Sequence, residues 1–193
     1  MSLSLTKGGN LSLTKNAGSA GLRHVTIGLG WDERATDGSD FDIDALAFLC
    51  NDAGRVRGNS DFVFFNQLQS GCGSVVHQGD NTDGQGDGDD EQIRIDLSQV
   101  PSDIKKISIC VIIYESESRG QNFGMISNAF VRIVNEADDR EMARYDLSED
   151  ACLESSLIFA DVYRHNGEWK FRAVGQGYSG GLGPLARHFG VQV

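Results

Sequence analysis

Apolar residues that recur at every second position are the feature that most limits how this chain can fold. In VTIGLG, Val25, Ile27 and Leu29 alternate with small or polar residues, and a mostly apolar run follows at residues 45–50. Further runs with the length and the β-branched or aromatic content of strands occupy residues 61–66, 91–97 and 106–114. Turn-forming residues separate the runs, and no long stretch has a helical period. The pattern therefore predicts an all-β fold, an antiparallel two-sheet β-sandwich with a few short helices.

Three pairs of these strands are predicted to form hairpins. The sequence LSLTK occurs at residues 3–7 and again at residues 11–15, with GGN between the two copies. The turn sequences EADDR and HNGE each join two further runs, within residues 129–147 and 157–174. A short helix is expected near the C-terminus at residues 184–189, where Pro184 suits a first helical turn.

The charge balance restricts the partners that the chain can attract. Among 193 residues there are 17 basic and 28 acidic side chains, a formal net charge of -11. This charge opposes binding to nucleic acid or to an anionic membrane and favours cations. No apolar run approaches the roughly 20 residues that span a bilayer, and MSLSLTKGGN lacks the features of a signal peptide. We therefore expect a soluble, cytoplasmic protein without a transmembrane segment.

The strongest chemical signal is the glycine-rich segment GDNTDGQGDGDDE at residues 79–91. Its carboxylates are those of Asp80, Asp83, Asp87, Asp89, Asp90 and Glu91. Two carboxylates about 4 Å apart repel each other by about 4 kcal/mol at an effective dielectric constant near 20, so a compact loop requires cations or protons. The glycines allow backbone carbonyls to turn inward, and Ca²⁺ takes about six to eight oxygen ligands of this mixed kind.

A second acidic segment, TDGSDFDIDALAF, leads into a predicted strand. It contributes the carboxylates of Asp37, Asp40, Asp42 and Asp44. Alternation along an extended chain places the last three on one face, while Phe41 and Ile43 face the core. Together the two segments predict one site in which ten acidic side chains hold two Ca²⁺ ions.

The two acidic segments have interpretations other than a calcium site. The simplest is that acidic, glycine-rich loops are only solvated connections between strands. An EF-hand is excluded because Arg94 stands where the bidentate glutamate is required. Zinc is disfavoured because the four cysteines are widely spaced and His77 is the only histidine near the loop. We interpret His77 as a strand residue.

The chain resembles, nearly end to end, the TerD family of bacterial tellurium-resistance and stress-response proteins. The matching stretches are LTKGGN, GLGWD, DFDID, GDNTDGQGDGDDE, QNFG, DLSEDA and YRHNGEWKFRAVGQGYSGGL. The resemblance implies a single TerD-like β-sandwich domain over residues 1–193, with calcium in acidic loops at one end and no enzymatic activity. The ligands or near ligands that it implies are Asp40, Asp42, Asp80, Asn81, Asp87, Asp89, Asp90 and Glu91, with Asp44, Asp32 and Glu115 as further candidates. Cys72 stands where the family often has an aspartate, which puts a contribution of that loop to the site in doubt.

The function that the resemblance implies is that of a calcium-binding stress-response protein that binds or scaffolds other stress-response proteins, including at the inner membrane surface. An alternative is calcium-bridged binding of an anion such as a phosphate, a nucleotide or a lipid head group, although residues 39–47 and 79–92 contain no lysine or arginine. A metal-assisted hydrolase is disfavoured because the chain has no GxSxG elbow or Walker lysine. Its four histidines also lie in separate segments.

Overall fold

A computed structural model of the protein describes residues 2–33, 41–79, 88–147 and 153–192. The strands are β1 (Leu3–Leu5), β2 (Asn10–Ser12), β3 (His24–Glu33), β4 (Ile43–Cys50), β5 (Phe62–Val63), β6 (Val75–His77), β7 (Glu91–Asp96), β8 (Lys106–Ile113), β9 (Ile126–Asn135), β10 (Arg140–Asp146), β11 (Ser156–His165) and β12 (Glu168–Tyr178). The α-helices are α1 (Leu13–Asn16), α2 (Ser116–Arg119) and α3 (Leu182–Phe189), and single 3₁₀ turns occur at Gly18–Ala20, Asn59–Asp61 and Phe123–Met125.

The strands form two six-stranded sheets that pack face to face. Sheet I has the order β1-β10-β9-β3-β7-β6, and sheet II has the order β2-β12-β11-β8-β4-β5. All neighbours are antiparallel except β1 and β10, which are parallel. The predicted two-sheet sandwich with few short helices is confirmed.

The two sheets differ in how their outer faces are covered. In sheet I, Ile93 and Ile95 of β7 are buried between the sheets, while Gln92 and Arg94 face solvent. In sheet II, every residue of β4 is buried. Its odd-numbered side chains enter the core between the sheets, and from Leu46 onward the even-numbered ones join an outer apolar cluster.

Helix α3 provides the cover for that outer cluster. Leu185, Ala186 and Phe189 are fully buried against sheet II, and the ring of Phe189 stacks on Phe48 with 4.3 Å between the ring centroids. The helix includes the residues predicted to be helical from the sequence. A strand buried on both faces reads as a continuous apolar run, because neither face of the strand meets water.

The hairpin predictions have two outcomes. The pairs β9–β10 and β11–β12 are antiparallel hairpins across EADDR and HNGE, as predicted. The hairpin of the two LSLTK copies is wrong, because β1 pairs with β10 in sheet I whereas β2 pairs with β12 in sheet II. The second copy also leaves the extended conformation, since the Ser12 side chain accepts a hydrogen bond from the Lys15 N–H and caps α1. Each copy therefore pairs with a strand of a different sheet, β10 or β12, and not with the other copy.

The strand directions define two ends of the sandwich. At one end, β3 and β8 finish while β4, β7 and β9 begin, as the pairs Leu29↔Glu91 and Ile43↔Ile113 show. We call this the acidic end, because both acidic segments enter or leave the sheets there, and we call the opposite one the far end. Among the described residues, no helix is long and apolar enough to cross a membrane.

Candidate functional site

Glu91 connects the two sheets at the acidic end. As the first residue of β7, it points to the same side as Ile93 and Ile95 and is 2% exposed. Its Oε2 accepts a hydrogen bond from the backbone N–H of Ala45 in β4. Because Ala45 directly follows Asp44, this contact places Glu91, the last residue of one acidic segment, against the strand that the other acidic segment enters.

His77 is the second group at this junction. It is a buried residue of β6, as expected, and its Nε2 lies 3.5 Å from Oε2 of Glu91. Its Nδ1 accepts a hydrogen bond of 3.1 Å from the Gly79 N–H. The neutral ring therefore carries its proton on Nε2, the nitrogen that faces the carboxylate.

Asp90 fixes the end of β3. Its Oδ2 accepts a 2.8 Å hydrogen bond from the Trp31 N–H, and its own N–H donates to the Leu29 carbonyl at 2.7 Å. The Trp31 side chain is 7% exposed and packs in the core between the sheets at this end. Asp90 thus ties the loop to the strand that carries one of the two tryptophans of the chain.

Asp42 and Asp44 are at the entry to β4. The prediction that Phe41 and Ile43 enter the core is confirmed, since both are buried between the sheets. Asp44 alternates with them and is buried on the other face of the strand, while Asp42 is half-buried. The Asp42 carbonyl accepts a 2.7 Å hydrogen bond from the Tyr114 N–H at the exit of β8.

Asp89 has a different surrounding from its two neighbours. Its carboxylate forms a two-pronged ion pair with Arg132 of β9, with N–O distances of 2.7 and 3.1 Å, and lies directly over Gly28 of β3. A Cβ atom on Gly28 would come within 2.1 Å of Oδ2 of Asp89, so a larger residue there would displace the Asp89 carboxylate. This ion pair raises the pKa of the Arg132 guanidinium. Asp89 is therefore engaged on the outer face of sheet I.

The two further candidates at strand ends also have local partners. Asp32 Oδ2 accepts a 2.6 Å hydrogen bond from the side-chain amide of Asn128. Glu115 pairs with Arg119 one helical turn later, at 3.2 Å. Both side chains are exposed at the acidic end.

Cys72 lies outside this site. The loop that holds it precedes β6 on the far end, and its Sγ is 3.1 Å from the Ser74 hydroxyl. Burial raises the pKa of the thiol, but hydrogen bonds from Ser70 and Ser74 outweigh that effect and lower the pKa. The loop around Cys72 therefore contributes nothing to the acidic end.

The remaining predicted ligands, Asp40, Asp80, Asn81 and Asp87, lie outside the described residues. Within residues 2–33, 41–79, 88–147 and 153–192, no three His, Cys, Asp or Glu side chains are grouped closely enough to hold a metal ion. The ligand set and calcium binding stay predictions.

Two contacts at the acidic end were not predicted from the sequence. The approach of His77 to Glu91 joins residues from β6 and β7, and the Arg132–Asp89 pair joins residues 43 positions apart. The alternation of β7 does assign Glu91 to the inner face together with Ile93. Nothing in the sequence indicates that Arg132 is the partner of Asp89.

Comparisons with known proteins agree on one family. The TerD domain family matches residues 1–189 of the chain. The tellurium resistance protein TerD of Serratia marcescens is 56% identical over 191 residues, covering 99% of this chain and 98% of that protein. General stress protein 16U of Bacillus subtilis (strain 168) is 52% identical over 194 residues and covers 100% of both chains.

The fold has solved relatives as well. The crystal structure of a homologue of a telluride resistance protein from Streptomyces coelicolor A3(2) superposes with a TM-score of 0.70. It is 22% identical in sequence, and the match covers 88% of this chain and 97% of that one. At this identity the likeness concerns the fold alone.

Proposed function

This chain belongs to the TerD family of tellurium-resistance and stress-response proteins, and we propose that it is a calcium-binding module whose ions bind at the acidic end. The observation that carries the proposal is the contact between Glu91 and Ala45. It brings two acidic segments that are far apart in the sequence to one end of the sandwich. Twelve acidic side chains, six in each segment, occur in residues 32–44 and 79–92, and Arg34 is the one basic side chain in these two ranges.

The electrostatics of this convergence favour a bound cation. Each pair of carboxylates about 4 Å apart costs about 4 kcal/mol at an effective dielectric constant near 20. A divalent ion between them converts that repulsion into attraction. Calcium therefore stabilises the folded chain by binding it.

The chemistry of the described donors fits calcium better than a transition metal. Asp42, Asp44, Asp90 and Glu91 offer only hard oxygen donors, which Ca²⁺ prefers. These four residues would form the base of the site, and Asp40, Asp80, Asn81 and Asp87 would complete it.

The biological role that we propose is docking with partner proteins. Calcium orders the acidic loops and so creates a binding face, as it does in other calcium-dependent switches. The role in tellurium resistance and stress response then follows from the partners that the calcium-loaded protein recruits.

The proposal is tested by calorimetric titration of the chelator-stripped chain with Ca²⁺, with Mg²⁺ as the control ion. We expect saturable heat with Ca²⁺ at about two ions per chain, and little with Mg²⁺, which demands smaller octahedral sites. Asp42→Asn keeps the size of the side chain and removes its charge, and it should weaken calcium binding by at least about tenfold.

The matched control for this titration is Asp139→Asn. Asp139 is exposed in the β9–β10 turn at the far end, so the variant changes the net charge by the same amount without touching the site. Equal effects of the two variants would mean that calcium responds only to the overall charge. An absence of heat with both ions would return the acidic segments to solvated loops.

A further inference from the structure

A groove with a volume of about 360 Å³ opens beside α3 on the outer side of sheet II. One wall is the exit of β8 with α2, and the other is the chain that enters α3. Its lining includes Phe65, Ile112, Tyr114, Glu117, Gly180 and Leu182. We call it the β8–α3 groove.

The interior of the β8–α3 groove is apolar and rigidly supported. Ile112 is buried in the outer cluster and Leu182 packs against the same cluster. At the mouth, the Tyr114 ring is 40% exposed and meets the Phe65 ring edge-on, with 6.3 Å between the centroids. A large aromatic side chain that is ordered but exposed is a common anchor point of protein interfaces.

The backbone on both walls has a constrained conformation. Glu115 has a φ of 50°, in the left-handed region, which is unfavourable for a residue with a side chain. Gly180 and Gly181 have φ values of 93° and 64°, and a Cβ on Gly180 would lie 3.1 Å from Cγ of Pro184. Strain of this kind persists where the surroundings hold it, and it often accompanies ligand sites.

The α2 side of the groove mouth carries two acidic side chains and one basic side chain. Glu115 is paired with Arg119 at 3.2 Å, and the guanidinium of Arg119 lies 5.9 Å from the Tyr114 ring. Glu117 is exposed, and among the described residues it has no ion-pair partner within 4.0 Å. Its Oε1 lies 3.8 Å from the position of a Cβ on Gly180, so the carboxylate stands at the mouth. Two carboxylates face one guanidinium, and the groove lining itself contains no lysine or arginine.

We propose that the β8–α3 groove docks a segment of a partner protein that inserts one large apolar side chain next to a lysine or arginine. Small-molecule sites have volumes of about 300–1,000 Å³, so this groove is at the lower limit and suits a single anchor side chain. An apolar pocket with a polar rim is the usual arrangement at interface hot spots. The free carboxylate of Glu117 selects a basic neighbour and disfavours an acidic one.

This inference deepens the docking part of the proposed function and names the chemistry of the partner. It does not depend on calcium coordination by a groove residue. A negative calorimetric titration would contradict the calcium site and leave the groove proposal standing. A negative peptide experiment would contradict the groove proposal and leave the calcium site standing.

The test uses the full chain and fluorescein-labelled peptides with a Gly–Ser background, in calcium-containing buffer and in chelator. The probe peptides contain adjacent phenylalanine and lysine in either order, and the control peptides replace phenylalanine with serine or lysine with glutamate. Fluorescence anisotropy should show saturable binding of a phenylalanine–lysine peptide and binding at least about tenfold weaker for both controls.

Variants of the protein locate the binding on its surface. Glu117→Lys should weaken binding of the phenylalanine–lysine peptide by about tenfold and strengthen binding of the phenylalanine–glutamate peptide. A purely structural defect would not strengthen the binding of either peptide. Tyr114→Ala should weaken both peptides. Asp139→Lys and Leu68→Ala are the matched controls, because Asp139 is exposed and Leu68 is 45% exposed away from the groove, and neither should change binding.

Three results would overturn the proposal. One is that no peptide saturates in either buffer. Another is that the control variants weaken binding as much as Glu117→Lys does. The third is that phenethylammonium shifts the NMR signals of Tyr114 and Leu182 while no peptide binds, which would make the groove a small-molecule site.

Discussion

The two ends of the sandwich handle negative charge in different ways. At the far end, carboxylates lie against cationic side chains of the same chain. The pairs are Arg57–Asp61 at 2.7 Å, Arg23–Asp96 at 3.4 Å, Arg94–Glu136 at 2.7 Å and Lys15–Glu168 at 2.9 Å. The far end is therefore neutralised by residues that the sequence itself supplies.

At the acidic end, the two acidic segments contain few cationic side chains. Residues 32–44 and 79–92 contribute twelve acidic side chains and one basic one. Asp90 and Glu91 accept hydrogen bonds from backbone N–H groups. Asp89 forms an ion pair with Arg132 of the neighbouring strand. The comparison shows that this chain can pair carboxylates internally where it places cations beside them. Where it does not, we propose that a soluble cation takes that place, and Ca²⁺ is the ion that prefers oxygen-rich loops.

The largest effect is expected at the far end, where an internal ion pair is broken. Arg57 donates two hydrogen bonds to Asp61, which is 1% exposed. Arg57→Ala leaves that carboxylate buried without its cation and should lower the free energy of unfolding by about 3 kcal/mol. Urea unfolding followed by circular dichroism measures the loss.

The control for this variant uses the same arginine. Asp103 also pairs with Arg57 but its side chain is 58% exposed, so Asp103→Asn should cost much less stability than Arg57→Ala. Similar losses for the two variants would show that burial does not decide the strength of these pairs.

A slightly smaller effect is expected from calcium at the acidic end. Binding to the folded state alone stabilises a protein by about 2.7 kcal/mol when the free ion is at 100 times its Kd. Thermal unfolding with and without chelator should therefore show a marked difference in the wild-type chain. Glu91→Gln should remove most of it, because Glu91 joins the two acidic segments.

Glu136→Gln is the control that distinguishes loss of the site at the acidic end from loss of one negative charge elsewhere. Glu136 pairs with Arg94 at the far end, so this variant should retain the full stabilisation by calcium. A calcium effect that disappears in Glu136→Gln but survives in Glu91→Gln would place the site at the wrong end for this account.

How much of this could be read from the sequence differs between the two ends as well. The alternation of apolar residues predicted the sandwich, both C-terminal hairpins and the inward direction of Phe41 and Ile43. The acidic segments were recognised because their density of carboxylates is a local property. The pairs Arg57–Asp103 and Arg132–Asp89 were not, since they join residues 46 and 43 positions apart and depend on strand order.

The N-terminal segment shows why local patterns have limits. Two copies of LSLTK have the same intrinsic preferences, yet Leu3–Leu5 pairs with sheet I and Leu13–Asn16 becomes a helix. The choice is made by the unpaired edges of β10 and β12, which are assembled from residues more than a hundred positions away. Tertiary contacts override local propensity at such edges.

The smallest effect concerns the pH dependence of the far end. Burial alone would raise the pKa of Asp96, but hydrogen bonds from Ser98 and His24 outweigh it and hold the pKa well below its ordinary value. Since the pKa is lower in the folded state, ionised Asp96 stabilises the fold above about pH 4, and this contribution is lost as the pH falls through the folded-state pKa.

Asp96→Asn should therefore reduce stability at neutral pH by on the order of 1 kcal/mol and make the acid side of the pH profile shallower. Equilibrium unfolding between neutral pH and about pH 2 measures both quantities. A profile that stays as steep as that of the wild-type chain would mean that other carboxylates dominate the acid response.

The most direct test of the central claim uses the two tryptophans, Trp31 at the acidic end and Trp169 at the far end. Tb³⁺ replaces Ca²⁺ on oxygen ligands and emits when a nearby tryptophan transfers its excitation. An eight-residue strand such as β4 spans about 25 Å, so of the two tryptophans only Trp31 is close enough to sensitise an ion at the acidic end. We expect Tb³⁺ emission, displaced by Ca²⁺, from the wild-type chain and from Trp169→Phe, and its loss in Trp31→Phe with unchanged circular dichroism. Emission that follows Trp169, or that Ca²⁺ does not displace, would contradict a calcium site at the acidic end.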